Sequence, residues 1–224
     1  IIIINVLVYL ATSVNGDFMY KNFALFYPTS PFFHWWQPLT HMFMHGGFSH
    51  IFFNMWSLFI FGSVLERVWG PKKFLLFYFI TGIGAALVHM GVQWFSYSSD
   101  LAAVGLTYGQ ASALAENVAE AVRSGVDRIP IWSPVLFTPT VGASGAVYGV
   151  LMGYGMLYPD SQLSLLFPPV TLKAKWFVLI YGLIELVFGM SGYQAGVAHF
   201  AHLGGMIWGF ALLWWWKKKR KIYF

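Results

Sequence analysis

The sequence contains no cysteine and very few charged residues. Without cysteine, the chain can form neither disulfides nor thiolate metal sites. Charged residues make up 9% of the 224 residues and hydrophobic residues 58%, whereas a typical soluble domain carries roughly 25% charged residues. This composition excludes an ordinary soluble domain. Because the apolar runs are long and unbroken, it predicts an all-α polytopic membrane protein.

The small positive charge of the chain does not indicate nucleic-acid binding. The net charge is +5, but five of the thirteen basic residues lie together at 217–221, directly after an apolar segment. Such a cluster is typical of a topology anchor at the cytoplasmic face of a membrane. We therefore expect no nucleic-acid partner.

Six apolar segments are candidates for membrane-spanning helices, and they are expected to form one helical bundle over residues 1–224. The segments are residues 1–14, 50–65, 74–95, 142–157, 176–190 and 198–216. Several are shorter than the ~20 residues that span a bilayer, so these helices are expected to start below the surface or to tilt. Residues 1–14 are interpreted as a helix whose beginning lies outside this sequence. A signal peptide is disfavoured because no basic region precedes the segment.

Lysine and arginine are distributed unequally between the two sides of this predicted bundle. With the C-terminus inside, ten of them fall inside and three outside, which predicts that both termini are cytoplasmic. The outer loops are then residues 15–49 and 96–141. The first loop is too apolar for a solvated linker, so we expect it to dip into the membrane or to lie on it. Residues 110–123 are alanine-rich with charges at helical spacing, which predicts a short surface helix without chemistry.

The fourth apolar segment carries a serine beside a glycine ridge. Ser144 lies at the start of the segment, and Gly145 and Gly149 follow at helical spacing. Small residues spaced by four allow helices to approach closely in a membrane. The first helical turn, where Ser144 is expected, has backbone N–H groups without intrahelical partners, and such groups are suited to stabilise an oxyanion.

The sixth apolar segment presents a histidine on a similar face. His202, Gly205 and Gly209 recur at helical spacing. If the two glycine faces pack together, His202 can reach Ser144 and act as general base toward its hydroxyl. Polar groups at this depth are costly, so a functional role is the default hypothesis. Each piece also has a structural interpretation, because glycine ridges are common in membrane packing and single histidines are often structural.

The second apolar segment contributes His50 and Asn54, spaced by four and therefore on one face. An imidazole and an amide are both possible oxyanion donors. The two residues could equally form a polar clasp between helices, and their spacing alone leaves both interpretations open.

Taken together, these motifs resemble those of one known family. The Gly-Ala-Ser-Gly motif at 142–145 with Tyr148, the Ala-His-Leu-Gly-Gly stretch that begins at 201, and residues 41–54 resemble the rhomboid intramembrane serine proteases. The similar elements occur in the same order over nearly the whole chain. The resemblance implies the six-helix rhomboid fold.

The resemblance also implies a role for each candidate residue. Ser144 would be the nucleophile and His202 the base of a Ser–His dyad. His50, Asn54 and the backbone N–H of Ser144 would form the oxyanion hole, and Tyr148 would pack against His202 and orient it. The expected activity is hydrolysis of peptide bonds in or next to transmembrane helices. No cofactor is expected.

The resemblance further implies transmembrane protein substrates and membrane lipids as partners, in a bacterial inner membrane. The active site would open to the outer face, and substrates would enter between the second and fifth helices. The oligomeric state is not indicated. In many bacterial relatives a tryptophan before the histidine stretch is followed by arginine, but here Trp36 is followed by Gln37, so we do not expect an arginine brace of the first loop.

Three rival functions are disfavoured by the sequence. A metal enzyme would use the histidines as ligands, but they are too few for a di-iron site and no HExxH zinc motif is present. A non-catalytic rhomboid-like protein that binds transmembrane segments is the alternative function, but such proteins have lost the serine or the histidine. A transporter is disfavoured because no pair of broken helices is apparent. Glu185 is the only acid within a predicted span, and we expect it to be structural or gating rather than part of a triad.

Overall fold

The computed structural model describes residues 1–123, 133–164, 169–191 and 198–219. The described helices are α1 (Ile2–Val14), α2 (Gly16–Phe23), α3 (Gln37–Thr40), α4 (Phe48–Trp69), α5 (Pro71–Val104), α6 (Tyr108–Arg123), α7 (Ser144–Leu157), α8 (Ala174–Ser191) and α9 (His199–Lys218). Two three-residue strands, β1 (Gln162–Ser164) and β2 (Thr171–Lys173), pair as an antiparallel hairpin before α8. The predicted all-α class is confirmed.

Three of the described helices, α4, α5 and α8, are long and apolar enough, by length and composition, to cross a membrane. Helix α1 is apolar but shorter. Large apolar side chains are exposed on these elements, for example Leu7, Phe52 and Leu183. In an integral membrane protein such side chains face lipid rather than water, because lipid is as apolar as they are.

The helix that begins at Ser144 is much shorter than a membrane is thick. Helix α7 has 14 residues, which corresponds to roughly 21 Å at 1.5 Å per residue. The hydrocarbon core of a bilayer is about 30 Å thick. If one end of α7 lies at a membrane surface, the other end lies inside the membrane.

The second predicted outer loop contains more helix than the hydropathy pattern indicates. Helix α5 continues past the predicted boundary at residue 95 to Val104, because neither glycine nor proline interrupts its polar last turns. It ends at Gly105, whose φ of 69° is left-handed. The helix predicted at 110–123 is confirmed as α6. Three basic residues used for the orientation, Arg128, Arg220 and Lys221, lie outside the described residues.

Helix α7 lies at the centre of the bundle, between α5 and α9. On one side it packs against α5. A Cβ added to Gly145 would lie 2.5 Å from the Cβ of Ala85, and one added to Gly149 would lie 2.5 Å from the Cβ of Thr81. Because Gly145 and Gly149 have no side chains, α7 can approach α5 closely.

On its other side α7 packs against the glycine face of α9. A Cβ added to Gly205 would lie 1.8 Å from the carbonyl oxygen of Gly145, and one added to Gly209 would lie 3.0 Å from that of Gly149. No side chain fits at the first position without separating the helices. The two glycine faces thus have different neighbours: that of α9 meets the backbone of α7, whereas that of α7 meets α5.

The first outer loop is fastened from within by an uncharged side chain. Gln37 is fully buried. Its Oε1 accepts a hydrogen bond from the Phe26 N–H at 3.2 Å, and its Nε2 donates to the carbonyls of Phe32 at 2.9 Å and Lys21 at 3.3 Å. Gln37 therefore braces the loop at the position where many bacterial relatives have an arginine.

Candidate active site

The backbone that leads into α7 is fixed by the first outer loop. Leu25 and Thr140 form a two-way backbone bridge at 2.9 and 2.8 Å, and the Gly142 N–H donates to the His41 carbonyl at 3.0 Å. Gly142 has a φ of 137°, a conformation that glycine adopts readily and other residues rarely adopt. An added Cβ there would lie 2.9 Å from His50 Nε2 and 3.3 Å from Ser144 Oγ. Glycine at this position permits the turn and also the close approach of His50.

Ser144 and His202 meet across the contact between α7 and α9. The distance from His202 Nε2 to Ser144 Oγ is 2.8 Å, within hydrogen-bond range. Ser144 is the first residue of α7, and His202 lies in the first turn of α9 and is 8% exposed. Fifty-eight residues separate them in sequence. The arrangement allows the hydroxyl to donate its proton to the imidazole.

Tyr148 lies one turn below Ser144 and stacks on the imidazole of His202. The ring centroids are 4.3 Å apart and the planes are inclined by 4°. The phenol hydroxyl donates a hydrogen bond to Glu185 Oε1 on α8. The Tyr148 ring therefore restricts the orientation of the imidazole, and the hydrogen bond to Glu185 holds the Tyr148 hydroxyl in place.

The sequence reasoning missed the position of Glu185. Its Oε2 lies 2.6 Å from His199 Nδ1 and 3.0 Å from His202 Nδ1. The first contact is a hydrogen bond, whereas the second is at ion-pair distance without the alignment of a hydrogen bond. Glu185, which the sequence analysis expected to be structural or gating, therefore lies directly beside His202. An ionisable residue inside an apolar helix was the available signal, but nothing in the sequence gives the rotation of α8 relative to α9.

His50 presents its Nε2 toward the serine. The Gly46 N–H donates to His50 Nδ1 at 3.3 Å, so in the neutral ring the proton lies on Nε2. The same nitrogen is close to Gly142, and Gly142 is two residues before Ser144. His50 can therefore donate a hydrogen bond toward a group bound above the serine hydroxyl.

Asn54 lies one turn further along α4 and is 6% exposed. One of its amide hydrogens is used within the helix, since Nδ2 donates to the His50 carbonyl at 3.0 Å. The second hydrogen of the amide remains for another acceptor. Among the described residues, the side-chain hydrogen bonds of His50 and Asn54 stay within residues 46–54, which disfavours the interhelical clasp.

These side chains line one open cavity of about 1090 Å³. Its polar wall includes His50, Asn54, Ser144, Tyr148 and His202. Apolar side chains of α4 and α8 also line it: Phe53, Phe61, Phe177 and Tyr181. The cavity is thus bordered by the second and fifth predicted spans, and residues 138–141 lie along it as well.

Within the described part of the chain, Glu185, His199 and His202 form the one group with ligand atoms close enough for a metal ion. Of the histidines that a metal enzyme could use as ligands, His41, His45 and His50 do not belong to such a group there, whereas His199 and His202 do. Two ligands of a tetrahedral zinc ion with bonds of about 2.1 Å lie roughly 3.4 Å apart. The observed nitrogen–oxygen distances of 2.6 and 3.0 Å are shorter and suit direct contact between the side chains.

Comparison with known proteins gives one matching family. The model of the rhomboid domain matches residues 33–219. The chain is similar to rhomboid protease AarA of Providencia stuartii, with 28% identity over 179 residues, which cover 78% of this chain and 53% of the relative. It is similar to rhomboid protease GluP of Bacillus subtilis, with 26% identity over 176 residues, which cover 79% of this chain and 25% of the relative.

A relative described as inactive is also similar. The inactive RHOMBOID-like protein 8 of Arabidopsis thaliana is 37% identical over 84 residues, which cover 37% of this chain and 24% of the relative. The chain spans about half the length of AarA and a smaller part of the other two. Similarity therefore extends to proteins with and without activity, and the site itself has to distinguish them.

Proposed function

We propose that this chain, which belongs to the rhomboid family, is a serine protease that hydrolyses peptide bonds in or next to transmembrane helices. The observation that carries the proposal is the 2.8 Å contact between His202 Nε2 and Ser144 Oγ. Nucleophile and base within hydrogen-bond reach, with the base oriented by a third group, are the signature of covalent catalysis. Here the ring of Tyr148 lies on the base.

In the proposed reaction Ser144 Oγ attacks the scissile carbonyl carbon while its proton passes to His202 Nε2. The carbonyl oxygen becomes an oxyanion. His50 Nε2–H, the second amide hydrogen of Asn54 and the Ser144 backbone N–H are the candidate donors to it. The imidazolium then gives its proton to the leaving amine, and a water activated by His202 releases the acyl group from Ser144.

The shape of the cavity supports a transmembrane substrate. Its border between α4 and α8 is formed by aromatic side chains that suit lipid or an apolar segment, and its inner wall is polar. A helical substrate hides its carbonyls in its own hydrogen bonds, so it must unwind before Ser144 can attack. Entry between α4 and α8 followed by local unwinding is the route that we propose.

The location is also part of the proposal. The excess of lysine and arginine in the predicted inner loops supports cytoplasmic termini, with Ser144 near the opposite face. The similarity to AarA and GluP, both from bacteria, supports the bacterial inner membrane.

The alternative is a rhomboid-like protein that binds transmembrane segments without cutting them. The similarity to an inactive relative favours it. Both proposed catalytic side chains are present in this chain, however, and they are in hydrogen-bond contact. Binding alone does not require a buried Ser–His contact.

The proposal is tested by cleavage of a model transmembrane substrate by the purified chain in detergent and in liposomes. The wild type should cut, and Ser144→Ala should not, since the substitution removes the attacking atom and little volume. A fluorophosphonate probe should label Ser144 in the wild type and fail to label His202→Ala, because an unassisted hydroxyl is a weak nucleophile. Binding of the substrate by the wild type without cleavage or labelling would favour the alternative.

A further inference from the structure

Glu185 is a buried carboxylate in the middle of an apolar helix. It is 7% exposed, and α8 is one of the helices with the length and composition of a membrane span. A buried charge costs several kcal/mol unless hydrogen bonds compensate it. A hydrophobic residue would avoid that cost, so the carboxylate must be retained by its partners or by a function.

Three side chains converge on this carboxylate. Tyr148 O–H donates to Oε1, and the Nδ1 atoms of His199 and His202 lie 2.6 and 3.0 Å from Oε2. Each contact comes from a side chain of α7 or α9, the two helices that carry the proposed nucleophile and base. The carboxylate therefore connects α8 to the two helices that carry the proposed catalytic side chains.

The contacts also select a tautomer of His202. A carboxylate only accepts hydrogen bonds, so the ring nitrogen that faces it carries a proton. With the proton on Nδ1, Nε2 of the neutral ring has a free lone pair, and this is the atom that lies 2.8 Å from Ser144 Oγ. That is the tautomer that a general base requires.

The separation between His202 Nδ1 and the carboxylate agrees with this role. The atoms are 3.0 Å apart but not aligned as a hydrogen bond. Catalytic hydrogen bonds are often poorly aligned without substrate and tighten in the complex. When Nε2 takes the serine proton, the ring becomes positive, and a carboxylate at this distance stabilises that charge.

We propose that Glu185 completes a Ser144–His202–Glu185 triad as the positioning residue that orients His202 and stabilises its protonated form. This rests on the proposed protease function. His199 holds the other side of Oε2 and Tyr148 holds Oε1, so these two side chains keep the carboxylate in place. The acid comes from α8, the helix that also borders the cavity.

The competing explanation is purely structural. Three side chains packed around one carboxylate also form a clamp between α7, α8 and α9, and removal of a clamp lowers stability without a specific effect on chemistry. The two explanations differ in the parameter that changes. Loss of a clamp lowers the unfolding temperature and the fraction of active protein, whereas loss of the triad carboxylate lowers kcat in protein that remains folded.

The test compares Glu185→Gln with wild type in a transmembrane-substrate assay that gives kcat and KM separately. The labelling rate by fluorophosphonate and the unfolding temperature are measured on the same samples. We expect kcat to fall by about 10²-fold or more, because a misplaced catalytic group costs that much and a wrong tautomer costs more. KM should stay within a few-fold, and the labelling rate should fall in parallel with kcat. Glu116→Gln is the matched control, because the same change is made at an exposed glutamate of α6.

A second variant keeps the test decisive if Glu185→Gln does not fold. Glu185→Asp retains the charge but withdraws the carboxylate by one methylene group, so we expect a folded protein with kcat between those of wild type and Glu185→Gln. Wild-type kcat in a folded Gln or Asp variant would overturn the triad and leave the protease intact. A fall in unfolding temperature with kcat per active site unchanged would also overturn it and favour the clamp. Absence of cleavage and labelling in the wild type would overturn the protease proposal and the triad with it.

Discussion

Helix α9 and helix α8 both contribute to the site, but they are attached to it in opposite ways. Helix α9 lies so close to α7 that the Gly205 position has room for no Cβ. Much of α9 is buried, including Gly204, Gly205 and Gly209. In α8 the buried residues are few, namely Ala174, Phe177, Val178 and Glu185. One helix is placed by backbone contact and the other by sparse side-chain contacts, of which the polar one is Glu185.

The difference teaches which parts of the site can tolerate movement. A glycine contact between backbones has one separation, set by hard contact, so the distance between Ser144 and His202 is fixed by the packing itself. A helix held by a side chain can shift while the hydrogen bonds adjust. The proposed nucleophile and base lie on the tight pair, and the apolar border of the cavity lies on the looser helix.

The largest effect is expected from breaking the tight contact. Gly205→Val should abolish cleavage, because an added Cβ would lie 1.8 Å from the Gly145 carbonyl oxygen and must push α9 away from α7. Misplacing a catalytic group by about one ångström lowers the rate about 10²-fold. The branched side chain of valine would separate the two helices by more than this. Cleavage rate per folded molecule is the measurement. Gly91→Val is the matched control, because an added Cβ at Gly91 meets nothing within 4 Å; equal activity in both variants would contradict the tight contact.

A smaller effect is expected at Asn54, a proposed oxyanion donor that contributes little packing. Asn54→Ala should lower kcat by roughly 10²–10³-fold, as loss of one oxyanion donor does, while His50 and the Ser144 N–H remain. The unfolding temperature should change little, because the hydrogen bond that the Asn54 amide donates stays within its own helix. A large fall in unfolding temperature with normal kcat would instead support a polar clasp.

The sequence allowed the prediction of those features that depend on one helix at a time. The glycines of α9 and the serine at the start of α7 follow from spacing along single helices. The motif at 142–145, the stretch that begins at 201 and residues 41–54 together resemble one family closely enough to assign the fold. Spacing could not show that the Cα positions of Gly145 and Gly149 face α5 rather than α9. That depends on the rotation of α7 among its neighbours.

The same limit explains why Glu185 was set aside. The residue was recognised as the only acid in a predicted span, but its distance to His202 depends on the docking of α8 against α9. His199 offered a local signal, because it lies three residues before His202 and so on the same side of α9. Two histidines on one face and an acid on the neighbouring helix point to a shared hydrogen-bond network, yet only the packed structure gives its distances.

The smallest effect on catalysis is expected where a polar side chain holds a loop outside the reacting groups. Gln37→Leu should lower stability by about 3 kcal/mol or more, since buried groups that lose their partners cost roughly 1–3 kcal/mol each and the hydrogen bonds to Phe26, Phe32 and Lys21 are lost together. Thermal unfolding in detergent measures the change. Activity well below the unfolding temperature should stay near that of wild type, because the bridge between Leu25 and Thr140 still holds the approach to Ser144. Gln162→Leu, at an exposed position in β1, is the control and should not alter unfolding; an equal effect of both variants would mean that the buried hydrogen bonds do not hold the loop.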